Sequence, residues 1–137
     1  MNMENLILNQ SVTHILLKCA FSPSLLGFDY IREVVEKCCK KENGYQNFIT
    51  EIYKEVAESD NSTADKVDKR IRASLKDAKS RKGFLAMNEY FDERVYNGER
   101  DIPAQEAISI LVEISKLEFA KRNTINAKYL QNAGNAC

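Results

Sequence analysis

The sequence predicts an all-α fold of about six helices. Three observations predict it. Apolar residues recur at spacings of three and four along most of the 137 residues, the period of a helix with one buried face. No stretch of useful length alternates apolar and polar residues as a half-buried strand does. The strongest punctuation, at Pro23, Asn43-Gly44, Gly83 and Pro103, falls between the apolar stripes.

Taken in order, Val12, Ile15, Leu16 and Cys19 share the face of a first helix that ends by Pro23. Phe28, Ile31, Val34, Val35 and Cys38 form the stripe of a second, and Asn43-Gly44 breaks the chain after it. A third carries Phe48, Ile49, Ile52, Tyr53 and Val56. The polar run Ser59-Asp60-Asn61-Ser62 separates it from a fourth, in which Ala64, Val67, Ile71, Leu75 and Ala78 follow at spacings of 3, 4, 4 and 3. A shorter helix is expected from Phe84 to about Arg94. The loop from Asn97 to Asp101 leads to Pro103, a residue suited to opening a helix, and the last stripe is Ala107, Ile108, Leu111, Val112, Ser115 and Phe119. Residues 1–122 read as a single helical domain. Residues 123–137 are polar and small and are expected to be a flexible tail.

The chain is long enough to bury a core without disulfide staples, and 44% hydrophobic with 29% charged residues fits a soluble globular protein. No run approaches the length of a membrane span and no secretion signal opens the chain, so a cytoplasmic protein without membrane contact is expected. Cys19, Cys38, Cys39 and Cys137 form no CxxC pair and read as thiols in a reducing compartment. Net charge is zero, but it is unevenly distributed. Residues 65–82 hold eight basic residues and three acidic ones, while the rest of the chain holds twelve and seventeen. One concentrated basic segment on a neutral protein is the electrostatic footprint of a polyanion site.

That segment lies on the fourth helix. Residues 45–82 therefore read as two amphipathic helices joined by about four polar residues, the spacing of a helix-turn-helix. Ser62 or Thr63 can cap the second helix, with Asp65 placed to reach back in a capping box. With the Ala64–Ala78 stripe buried, the opposite side presents Lys66, Asp68, Lys69, Arg70, Arg72, Ala73 and Lys76 to a major groove of double-stranded DNA. Arg72 can donate two hydrogen bonds to guanine O6 and N7, Lys69 can do so less rigidly, and Asp68 can accept from a cytosine amino group. Ser62, Thr63, Lys66, Arg70 and Lys76 suit phosphates, which position a protein without reading sequence. The competing interpretation of such a face is plain solvation. The preceding short helix, the polar turn and the lopsided charge weigh against it.

Other chemistry is weakly represented. His14 is the sole histidine and reads as structural. There is no Cys-His pair at catalytic spacing, no phosphate-binding glycine loop and no metal cluster, so neither an enzyme nor a cofactor is expected. Glu51, Glu55 and Glu58 read as a solvated face.

Several runs resemble the C-terminal DNA-binding effector domain of stage-zero sporulation protein A, a response regulator of endospore-forming bacteria. They are Val12-Thr13-His14-Ile15-Leu16, Gly27-Phe28-Asp29-Tyr30-Ile31-Arg32-Glu33, the segment Asn61 to Arg72, and Ala78-Lys79-Ser80-Arg81. The likeness spans roughly residues 9 to 120. It implies a six-helix effector domain that binds a TGTCGAA-like box, pairs on tandem boxes, and contacts an RNA polymerase sigma factor through the region after the recognition helix, here residues 83–96. The base-contacting positions implied by the resemblance fall on Asp68, Lys69 and Arg72.

The sequence also departs from that pattern. Lys69 stands where the family usually has Arg, Asp68 where it has the longer Glu, and Ala73 where it has a DNA-holding His, while Lys82 is an extra residue before the glycine. A phosphorylatable receiver domain is about as large as this whole chain and has no counterpart in these residues, so the sequence reads either as a free-standing relative, for which constitutive DNA binding is expected, or as a domain cut from a longer protein. The alternative is an interaction protein that pairs with a full-length relative as an antagonist. An antagonist has no reason to keep Arg72 and the cations around it.

Overall fold

The computed structural model of the protein describes residues 2–41, 44–91, 96–98 and 100–135. Among them are five α-helices and no strand: α1 (Met3–Lys18), α2 (Gly27–Lys40), α3 (Ile49–Ser59), α4 (Ala64–Ser80) and α5 (Ala104–Asn135). Two 3₁₀ segments, Tyr45–Phe48 and Gly83–Tyr90, lead into α3 and follow α4. The all-α reading therefore holds, and each apolar stripe lies on a helix.

Local chemistry sets the boundaries. Asn2 caps α1 by accepting from the Asn5 amide at 2.8 Å. α1 closes before Pro23, with Ala20 in the left-handed conformation (φ 64°) and the Phe21 amide bonded back to the Leu16 carbonyl at 3.0 Å. The expected break at Asn43-Gly44 lies half outside the described residues. Gly44 does take the left-handed conformation (φ 75°) that glycine adopts without strain.

α1 packs on α5, α2 on both α4 and α5, and α3 on α2 and α4. Ile15, Leu16, Ile31, Ile52, Ile71, Met87, Ile108, Leu111 and Ile114 are fully buried where these elements meet. The charged exception is Glu118, which accepts from Arg122 Nε at 2.8 Å and faces His14 at 3.9 Å. His14 is thus a surface neighbour of a structural carboxylate. Cys19 and Cys38 are buried, and burial pushes their thiols up to about 12 and about 11. Cys137 lies outside the described residues.

One expectation needs correction. The short helix expected from Phe84 to about Arg94 is 3₁₀ and closes at Tyr90, with residues 92–95 outside the described range. Its core is Phe84, stacked edge-on against Tyr96 at 5.8 Å, and Asn88 holds Tyr96 through bonds of 2.8 and 3.0 Å. α5 runs on through Asn123 as far as Asn135. No Pro or Gly interrupts residues 104–133, and the segment is rich in good helix formers, so polarity alone does not end the helix. Beyond Arg122 its described side chains are mostly exposed, among them Ile125 and Tyr129.

Candidate nucleic-acid interface

α3 and α4 are joined by Asp60, Asn61, Ser62 and Thr63. Asn61 ends α3 in the left-handed conformation (φ 50°), one of the few side chains that tolerates it. The amides of Ser62 and Asn61 return to the carbonyls of Ala57 (2.8 Å) and Glu58 (3.3 Å), satisfying the last turn of α3. Of the two candidate caps, the structure uses Thr63, whose hydroxyl accepts from the Lys66 amide at 3.3 Å. Asp65 occupies the second helical position, one short of capping-box geometry. It makes no hydrogen bond among the described residues and favours the helix start through the macrodipole.

On α4, Val67, Ile71, Ser74, Leu75 and Ala78 are buried, and Ala64 is half-buried at the edge of the stripe. Lys66, Lys69, Arg72, Ala73 and Lys76 are exposed, with Thr63 exposed and Ser62 half-buried at the N-terminal end. The ammonium groups of Lys66, Lys69 and Lys76 have no ion pair among the described residues.

Two of the expected site residues lie on the flanks. Arg70 turns toward α2: its Nη1 donates to the Tyr30 hydroxyl at 3.1 Å and its guanidinium lies 5.7 Å from the centre of the Tyr30 ring. That hydroxyl donates in turn to Asp60 in the interhelical turn. Tyr30 and Asp60 were given no role from sequence. Tyr30 belongs to a conspicuous run, but only the packing of α2 on α4 shows what it faces.

Asp68 lies on the opposite flank and accepts from Arg72 Nε at 2.9 Å, a bond that raises the Arg72 pKa. Both line a cleft of about 240 Å³ with Tyr53, Ala104 and Gln105. The Tyr53 hydroxyl is buried there without a hydrogen-bond partner among the described residues, and its pKa is pushed up to about 12, chiefly by burial. A second cleft of about 530 Å³ runs beside the C-terminal half of α4, with Leu75, Phe84 and Ile102 among its lining and Arg72, Lys76 and an ion-paired Lys79 at its edge. Among the described residues no cluster of His, Cys, Asp and Glu could hold a metal, and no helix is long and apolar enough to cross a membrane.

A capped basic helix set by a tight turn on a shorter helix, within an all-α core, defines the class: a helix-turn-helix effector domain. The family profile described as "Sporulation initiation factor Spo0A C terminal" matches residues 12–117, and the chain belongs to that family of DNA-binding transcription-regulatory domains. Compared with curated proteins, the chain finds no match. The family is one of double-stranded-DNA binders, not of enzymes.

Proposed function

We propose that this domain is a sequence-specific transcription regulator that lays α4 in the major groove. The observation that carries this reading is the outer face of α4, where Lys66, Lys69 and Lys76 are exposed beside Arg72 without ion pairs among the described residues. Arg72 and Lys69 read base edges, and Asp68 lies among them. Ser62, Thr63, Lys66 and Lys76 hold phosphates on either side, and the small Ala73 lets the helix approach closely. Arg70 reaches a phosphate only by releasing Tyr30, so its first role is to hold the turn.

The preferred site is a TGTCGAA-like box. A single recognition helix reads only a few base pairs, so two copies pair on tandem boxes. Residues 83–96 offer a surface to an RNA polymerase sigma factor. Residues 1–122 act as one unit, and the setting is the cytoplasm.

The test is a titration of duplex DNA across salt concentration. Lys66 and Lys76, without ion pairs among the described residues, give charged phosphate contacts, and log affinity falls by about 0.9 per contact per log unit of salt. A slope near zero, or no binding at low salt, removes the proposal.

A further inference from the structure

Arg72 and Asp68 sit one turn apart on α4, and the bond between them uses one particular donor. Asp68 Oδ2 takes the Nε–H of Arg72 at 2.9 Å. A guanidinium presents five N–H donors in a rigid fork. With Nε engaged by Asp68, the two terminal nitrogens at the far end keep hydrogens free, and that end has the two-pronged shape that matches guanine O6 and N7. The Arg72 side chain is 64% exposed and that of Asp68 36%, so the pair stands at the rim of the reading face, open to solvent.

We propose that Asp68 is a positioning residue for Arg72: it fixes the guanidinium so that its free end meets a guanine, and it does not itself read a base. This rests on the reading of α4 as the recognition helix. An aspartate is one methylene shorter than a glutamate, and here that short arm is directed along the helix to Arg72. An arginine held in one orientation before binding loses less side-chain freedom on the DNA, which is where the gain in discrimination arises. The pair is exposed and contributes little to folding.

The experiment is a double-mutant cycle on the duplex selected by the wild-type protein from random sequence, with guanine at the Arg72 base pair compared with 7-deazaguanine, which lacks the N7 acceptor. Asp68→Ala is expected to lower the preference for guanine about two- to tenfold, the range for losing the pre-ordering of one such side chain, with melting temperature unchanged. In an Arg72→Ala background the same change has no further effect on that preference, because Asp68 acts only through Arg72. Asp68→Glu restores part of the preference if its carboxylate recovers Nε.

An equal effect in both backgrounds, loss of preference at a cytosine instead, or no change in preference overturns the assignment. If the wild-type protein selects no sequence, the recognition-helix reading fails first, and that result precedes any variant.

Discussion

Gly27 lies directly on the backbone of Arg70: a β-carbon at Gly27 would stand 2.1 Å from the Arg70 carbonyl oxygen and 2.3 Å from Ser74 Oγ. This contact seats α2 against the middle of α4, with the Arg70 backbone and the Ser74 hydroxyl filling the space a side chain at Gly27 would need. Gly27→Ala should therefore destabilise the fold. Better helix propensity returns at most about 1 kcal/mol, whereas overpacking against a rigid backbone costs about 1–3 kcal/mol. The melting temperature is expected to drop by several degrees, measured by circular dichroism. An unchanged or higher value would show that α4 can shift without cost.

Arg70 offers a separation of two roles that share one cation. As the holder of the Tyr30–Asp60 network, it supports the interhelical turn, and Arg70→Ala should lower stability by about 1 kcal/mol while leaving the salt slope of DNA binding unchanged. As a phosphate clamp, the same change would leave melting alone and reduce the slope by about one. Tyr30→Phe is expected to follow the first pattern, since it removes the hydroxyl that joins Arg70 to Asp60.

Alkaline pH should weaken the fold in a defined window. Burial raises the thiols of Cys19 and Cys39 from 9.0 to about 12 and that of Cys38 to about 11. In the unfolded chain these thiols ionise near their ordinary value while the folded ones stay protonated. The native state thus binds more protons, and stability falls as pH rises. Their contribution is intact below about pH 9 and is lost between about 9 and 12. Urea denaturation at pH 8 and pH 10 checks this, and Cys19→Ala should flatten the difference. Peptide-resolved alkylation should find Cys19 and Cys38 protected until the protein unfolds.

The sequence made the helices legible because burial imposes a period that composition cannot hide. Val67, Ile71, Leu75 and Ala78 fall inside as their spacing requires, and the charged residues opposite them fall outside. Arg70 and Asp68 were less legible. Each lies between the buried and exposed faces, and only the neighbours, α2 on one side and α3 with the start of α5 on the other, decide what a flank residue meets. Ser74 is buried although polar, with its hydroxyl packed against Gly27 of α2. The stretch after Asn123 is polar yet helical as far as Asn135, because helix propensity depends on backbone and rotamer freedom, and alanine, lysine, leucine and glutamine all favour the helix.

Arg72 and Lys76 provide the sharpest test of the interface, since they are one turn apart on the same face and differ in chemistry. Both are exposed, so truncation of either should leave melting almost unchanged. Arg72 presents a planar fork held by Asp68, and Arg72→Ala is expected to cost about 1–3 kcal/mol on the preferred site and to flatten discrimination at one base pair. Lys76 presents a point charge with no ion pair among the described residues. Lys76→Ala should weaken preferred and random duplexes alike and lower the salt slope by about one. Band-shift titrations of both variants on the preferred site and on random DNA, each at two salt concentrations, read all four quantities together. If the two variants lose affinity equally on both duplexes, the division of the α4 face into a reader and a clamp is wrong, and the face binds DNA by charge alone.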